Sequence, residues 1–400
     1  MFYGVGIMIL DKNNLSINVL QELIDNKVFE NKELEYKNYT FTDGKISAIT
    51  DKEKDKFIKE IAAFANTNGG VIVVGMQENE DRLPQQLTGC GMKMADFDDW
   101  LSSFRQVVLS KIRPHLHGVE CFPVELSDKT IVIVVFIPKS YSRPHSFWDG
   151  NKDEFYLRYA NGITNMDIDD LRKEFLFSSS LQNQILQFKR DRISMILSNE
   201  CIGNIDDNAK LVLHVLPEWS FELGNLISIS NISNDTNIIP ISGDIGNYRY
   251  NADGFYRYSN NDETHDVDTY IQLFHNGIIE ATEIKLISGW KEKLIFDLKE
   301  IQSAIIQAMN RYQCFLQKHG VLKPWHIFIT LLNAKGYQTT WTYKNSSKLI
   351  DRNIVTTQSG IWREDNNIDD AIKPVLDSLS NAFGFERSYC YDKEGKINFK

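Results

Sequence analysis

Cysteine is scarce in this chain, basic charge is not in excess, and no long apolar run occurs. Each shortage excludes something. Five cysteines are scattered over 400 residues with no Cys-x-x-Cys pair, which fits a reducing cytoplasm rather than a disulfide scaffold. No stretch approaches the ~20 consecutive apolar residues of a membrane span. Met1 to Leu10 is apolar but has neither a basic leading region nor a small-residue cleavage site, so no signal peptide is expected. A net charge of −10 argues against a nonspecific nucleic-acid coat. It leaves room for a local basic groove, and residues 301–350 carry six Lys or Arg and no acid. With 42% hydrophobic and 12% aromatic residues, the chain can bury full cores, and its length suggests two or three domains.

What is present is concentrated in two segments. The first is Glu30-Asn31-Lys32-Glu33-Leu34-Glu35-Tyr36-Lys37. Period-2 alternation on a strand puts Glu33, Glu35 and Lys37 on one side and Leu34 and Tyr36 on the other. The apolar side is expected to pack and the charged side to face a cleft, with Glu30 at the end of a helix running through Leu15 to Ile24. Hard cations such as Mg²⁺ and Mn²⁺ take carboxylate oxygens together with water and substrate phosphate, and Lys37 is placed to offset charge developing on a phosphate. Solvated charges on an edge strand are the plainer explanation of such a run taken alone.

The second segment is Ala63-Phe64-Ala65-Asn66-Thr67-Asn68-Gly69-Gly70-Val71-Ile72-Val73-Val74-Gly75-Met76-Gln77-Glu78. Asp55 to Phe64 reads as a helix with Phe57, Ile58, Ile61 and Phe64 on its apolar side. Gly69 and Gly70 give the freedom of a tight turn, and Val71 to Val74 is apolar throughout, as in a strand covered on both faces. Glu78 then stands just beyond that strand, where open α/β sheets place ligand groups. Glu30, Glu35 and Glu78 are therefore candidate metal ligands, with Lys37 beside them.

The ExxxxEYK run, the FANTxGG block and an acid after Val-Gly resemble the Schlafen core domain, also called AlbA-like. Ile131 to Ser140, Arg143-Pro144-His145 and Tyr156-Leu157-Arg158-Tyr159-Ala160-Asn161-Gly162-Ile163-Thr164 follow the order of the family's later motifs, so the resemblance covers about residues 12–177. In nuclease members, three acids bind a divalent metal and cut transfer or ribosomal RNA, which implies Mg²⁺ or Mn²⁺ on Glu30, Glu35 and Glu78. Glu78 replaces the more usual Asp. Vertebrate members add a zinc site of His and paired Cys. Here only His115, His117 and Cys121 lie near its first half, so a complete zinc site is not expected, and the two histidines are read as surface or phosphate-facing. Lys56, Lys59, Arg113, Arg143, His145 and Arg158 are candidate phosphate contacts, Arg143, His145 and Arg158 because they fall in family-like blocks.

The expected fold is α/β (α+β): a Schlafen-like mixed-sheet core with flanking helices over 1–177, a connecting helix or linker over 178–208 and a separate α+β sensing or assembly domain over 209–400. A break is expected at Ser178-Ser179-Ser180, with an amphipathic helix from Leu181 to Leu197. In the second half, Leu211–Val215, Leu226–Ile229, Tyr270–Phe274, Ile278–Ile284 and His326–Leu332 read as strands, and Leu298–Leu316 and Ile368–Ala382 as helices. Asn276-Gly277 is a hairpin signal. Asp253 to Ser259 is aromatic and basic enough to stack on bases, and a buried aromatic strand explains it as well. The expected activity is a metal-dependent endoribonuclease acting on structured RNA such as tRNA, in the manner of an antiviral defence effector. Nucleases of this type clamp RNA between two related lobes. One lobe is present here, so a homodimer or higher homo-oligomer is expected. The alternatives are a non-catalytic DNA- or RNA-binding regulator and a protein-interaction sensor whose first domain is a scaffold.

Overall fold

The computed structural model describes residues 10, 12, 14–41, 44–160, 162–201, 208–243, 245–260, 267–284, 295–339, 349–364 and 366–392. The chain divides into two compact units, Met1–Ser180 and Leu181–Lys400. Both are mixed α and β, as the sequence pattern predicts.

In the first unit, α1 (Ile17–Asp25) is capped by Ser16, whose hydroxyl accepts the Val19 N–H at 3.4 Å. The strand β1 (Leu34–Lys37) runs parallel to β2 (Gly70–Val74). A hairpin, β3 (Met76–Glu78) and β4 (Pro84–Leu87), follows β2. β6 (Glu120–Glu125) and β7 (Ile131–Ile137) complete a four-stranded sheet in the order β1-β2-β7-β6. Alternation along these strands feeds two cores. Leu34, Tyr36, Val71, Val73, Val132 and Val134 pack with Leu20 and Leu23 of α1. Ile72, Val74, Ile133 and Val135 pack on the other face with Phe57, Ile61 and Phe64 of α2 (Asp51–Asn66). That helix starts four residues earlier than its apolar pattern indicates. Thr50 and Glu53 form a reciprocal capping box, which satisfies amide groups the pattern does not register. A further helix, α3 (Phe97–Lys111), buries Trp100 and Phe104 in the same core.

A second sheet, β10-β9-β8-β5, is built from β5 (Ile112–Arg113), β8 (Ser146–Trp148), β9 (Asp153–Tyr159) and β10 (Gly162–Asn165). The end of α2 joins it to the first sheet. Asn66 is buried; its amide donates to the carbonyls of His145 (2.8 Å) and Tyr156 (3.0 Å) and accepts the His145 N–H (2.7 Å). The Thr67 hydroxyl donates to the Ala63 carbonyl (2.9 Å) and accepts the Arg158 N–H (2.9 Å). Gly69 and Gly70 have φ of +72° and +155°, and a Cβ on Gly70 would stand 2.5 Å from the Glu33 carbonyl oxygen. The FANTxGG block is thus the joint between two sheets.

The division falls at Ser180, within the expected boundary, but Ser178, Ser179 and Ser180 do not end a helix. A single helix, α4 (Ile168–Leu197), runs through them. Each serine hydroxyl donates to the carbonyl three residues back, at 3.2, 3.1 and 3.0 Å, so the groups that favour turns are satisfied within the helix.

The second unit is an antiparallel sheet against two helices. Its strands are β11 (Lys210–Pro217), β12 (Asn247–Asn251), β13 (Gly254–Asn260), β14 (Val267–Phe274), β15 (Ile279–Glu283), β16 (Ile295–Phe296), β17 (Trp325–Leu332), β18 (Gln338–Thr339), β19 (Val355–Thr356) and β20 (Gly360–Trp362). The large sheet runs β12-β13-β14-β15-β11-β17-β19, with β20 also on β17. Gly277, at φ +78°, closes the β14–β15 hairpin that Asn276-Gly277 signals. The helices α5 (Leu298–Lys318) and α6 (Ile368–Asn381) cover one face. Leu226 to Ile229, expected as a strand, is irregular backbone. Asp253 to Ser259 is not a stacking platform: Phe255, Tyr256 and Arg257 are buried, and Arg257 donates to the Ile238 carbonyl at 3.0 Å. The exposed aromatics lie next door, on Tyr248 and Tyr250 of the edge strand β12. On the sheet's other face, Glu280 is fully buried and held by Arg192 (2.8 and 2.9 Å), His214 (3.0 Å) and Tyr270 (2.8 Å).

Because Asn66 carries three buried hydrogen bonds across the joint, Asn66→Ala strands their backbone partners. The expected loss of stability in the first unit is about 3 kcal/mol or more, measured as a shift of its urea unfolding transition. A shift within about 0.5 kcal/mol, the usual range for a neutral surface change, would remove the joint from this account.

Candidate functional site

β1 carries the charged pair into the interior. Leu34 and Tyr36 turn toward α1, so Glu35 and Lys37 turn toward α2. The sequence pattern predicts a charged side open to a cleft, but all four β1 residues are buried, with Glu35 and Lys37 6% and 8% exposed. The correction has a physical cause: β1 is covered on both faces, and its charges are matched inside. Lys37 Nζ contacts Glu35 Oε1 directly and lies 3.1 Å from Glu60 Oε1 on α2. Arg158 Nη2 is 2.5 Å from Glu35 Oε2 and donates also to the carbonyls of Asn31 (2.9 Å) and Leu34 (3.2 Å). Burial pushes the Glu35 carboxyl up, but Lys37 and Arg158 more than reverse this, and it lies below its ordinary range. Burial pushes the Lys37 ammonium down, and Glu60 and Glu35 outweigh it, so Lys37 stays charged.

Glu30 lies five residues past the end of α1 rather than at its end. Its Oε1 accepts the Tyr36 N–H at 2.9 Å. Burial, together with the charges of Glu35 and Glu78, raises it from 4.5 to about 7. Glu78, at the end of β3, is also raised, by burial and then by Glu35; its Oε1 is buried and has no hydrogen-bond partner. Glu30, Glu35 and Glu78 therefore share one electrostatic neighbourhood. Among the described residues, no three of His, Cys, Asp and Glu stand close enough together to enclose a metal ion.

Sequence reasoning missed Glu60. It is buried on α2, and burial raises it from 4.5 to about 7 against the pull of Lys37. Its Oε2 has no partner. The available signal was a carboxylate inside Phe57-Ile58-Lys59-Glu60-Ile61-Ala62-Ala63-Phe64, a helix segment apolar enough to be covered.

The expected phosphate contacts are not assembled into one free basic face. Lys56 is exposed and 4.0 Å from Glu60 Oε1. Lys59 pairs with Glu154 at 2.8 Å. Arg113 is exposed and lies over the Trp148 ring at 4.1 Å. Arg143 contacts Glu174 directly, and Arg158 is buried as described. His145 is buried between the Pro114 carbonyl (2.8 Å) and the Ser140 hydroxyl (2.7 Å). Burial lowers it to about 4, so it is a neutral structural residue at neutral pH. His115 and His117 are exposed, as read from the sequence.

Comparison with known proteins agrees with this architecture. Residues 30–167 match the family model described as Schlafen, AlbA_2. The match supports a Schlafen-type, AlbA-like core domain over this stretch, consistent with a nuclease or nucleic-acid-binding function. No curated protein matches the chain. Among solved structures, the DIP2311 protein from Corynebacterium diphtheriae aligns at 14% identity with a TM-score of 0.25, over 37% of this chain and 26% of that one. The chain thus spans about a quarter of that protein, and the likeness carries no argument. Among the described residues, no helix is long and apolar enough to cross a membrane.

The raised carboxyls set a pH signature. An acid at 4.5 in the unfolded chain and about 7 when folded favours folding while protonated. Its contribution is therefore lost as pH rises from about 4.5 to about 7. His145, lowered from 6.5 to about 4, acts in the opposite sense as pH falls through that range. The comparison of Glu60→Gln with the parent cancels the histidine. The stability of the variant relative to the parent should rise steadily between pH 5 and about 7.5 in metal-free buffer, read by thermal melts. A constant difference would mean that Glu60 is not held up by its surroundings.

Proposed function

We propose that the first unit is a metal-dependent endoribonuclease acting on structured RNA such as tRNA. The observation that supports this most directly is a shortage of positive charge: Glu30, Glu35, Glu60 and Glu78 all feel Lys37, and Arg158 adds a second buried cation at Glu35 alone. Lys56 and Arg82 act only from the margin. Closely spaced carboxylates without enough counter-charge are costly unless protonated or joined by a cation. The donors are all oxygen, as Mg²⁺ and Mn²⁺ require, and one of them, Glu78 Oε1, is unpartnered. The residues suit such an ion in charge and chemistry, and Glu30, Glu35 and Glu78 would hold it once their carboxylates draw closer together than they stand here. When bound, the ion supplies Lewis acidity toward a phosphate oxygen and lowers the pKa of a coordinated water.

The protein's own contribution is positioning. Glu30 is fixed by the Tyr36 N–H, and Glu35 by Arg158, which is itself tied to two backbone carbonyls. Lys37 is the ammonium nearest these acids and would meet negative charge developing on the phosphate. A non-catalytic binder would gain nothing from four carboxylates beside its groove, and it would leave Lys59, Arg143 and Arg158 free rather than paired with acids. With one lobe in the chain, we expect a homodimer to complete the RNA groove. The second unit serves sensing or assembly.

Purified protein should cleave tRNA with Mg²⁺ or Mn²⁺ and stop in EDTA. Glu35→Gln should lower cleavage by about 100-fold or more while RNA affinity holds or tightens, because phosphate repulsion is relieved. Equal cleavage by parent and variant in EDTA would end the metal reading. Loss of RNA binding in Glu35→Gln, with no heat of Mn²⁺ binding to the parent, would make the site a recognition surface. Light scattering should give a dimer mass; a fully active monomer would remove the two-lobed groove.

A further inference from the structure

Both oxygens of Glu35 are covered by cations, Oε1 by Lys37 and Oε2 by Arg158. If Glu35 is to hold a metal ion, as the proposed function requires, one cation must leave. Arg158 is not free to do so, because the same guanidinium also donates to Asn31 and Leu34. Lys37 is the mobile partner, a point charge on a flexible four-carbon stem. A place for it already exists. Glu60 Oε1 is 3.1 Å from its Nζ, and Glu60 Oε2 is buried with no partner. An ammonium has three donors. Swinging toward Glu60 would exchange the contact with Glu35 Oε1 for one with Glu60 Oε2, leaving the number of charge-assisted bonds unchanged. It would also satisfy Glu60 Oε2, which is now stranded. Glu60 itself cannot drift, since it lies in the interior of a capped sixteen-residue helix.

We propose that Glu60 is a positioning residue that takes Lys37 from Glu35 and so opens a Glu35 oxygen to a divalent cation. This rests on the metal-dependent reading of the site. It adds a residue outside the three acids and gives the paired state of Glu35 a meaning: the closed form of a ligand whose release depends on a fourth carboxylate.

The test is Mn²⁺ binding to the full-length protein without RNA, by titration calorimetry, with the free-ion signal in electron paramagnetic resonance as a second readout. Glu60→Gln should weaken Mn²⁺ binding by about 10-fold or more. Glu60→Asp keeps the charge but draws the carboxylate back from Lys37, and it should weaken binding as well; a pure field effect predicts no change there. In a Lys37→Met background, Glu35 is already open, so adding Glu60→Gln should have little further effect, a non-additivity that the charge alone would not produce. Circular dichroism establishes that each variant is folded, and Glu60→Asp stands in if Glu60→Gln is not. Parent-like binding in Glu60→Asp, or an equal loss from Glu60→Gln in both backgrounds, overturns the role given to Glu60 while the metal reading stands. Absence of Mn²⁺ binding in the parent overturns the metal reading and this inference together.

Discussion

The ion pair between Arg158 and Glu35 ties the two sheets of the first unit to each other. Arg158 comes from β9 in one sheet and Glu35 from β1 in the other, and the guanidinium is buried over the Phe64 ring at 4.6 Å. It also takes two carbonyls from the segment leading into β1. A buried charge needs both a partner and hydrogen bonds, and here one arginine meets both needs while setting the spacing of two sheets. The position of Glu30, which accepts an N–H from the same strand, follows from it. So does the crowding of negative charge on the α2 side.

Much of this was legible in the residues, for reasons that differ by element. The alternation of Leu34, Glu35, Tyr36 and Lys37 reports side-chain direction reliably because a strand has no other option. It does not report whether the second face is covered, since that depends on α2, a separate element with its own pattern. Charges read as open to solvent were therefore found paired and buried. Glu60 escaped notice for the converse reason: a carboxylate one turn from Lys56 looks like an ordinary surface pair until tertiary packing covers it.

The serine run in α4 and the Leu226–Ile229 segment mark the limits of local chemistry. Serine competes with backbone hydrogen bonding as readily inside a helix as outside it, so three in succession do not decide between a break and a back-bonded turn. Three apolar residues around Ser228 suffice for a strand only where a neighbour supplies the ladder. The hairpin at Asn276-Gly277 and the helices α5 and α6 were legible because a turn with positive φ and a sustained period of 3.6 are set by the chain itself. The polar set around Glu280 was not, because its members come from α4, β11, β14 and β15, and nothing in their spacing along the chain connects them.

The geometry of Gly70 reaches beyond stability. Any side chain there would collide with the Glu33 carbonyl and the Phe64 ring, and Asn66 is similarly committed to the backbone of the second sheet. None of these residues touches the proposed chemistry. A variant that had lost Glu30 and Glu78 would still require them. What these positions preserve is the joint between sheets. Glu78, whose Oε1 bonds to nothing, is under no such demand.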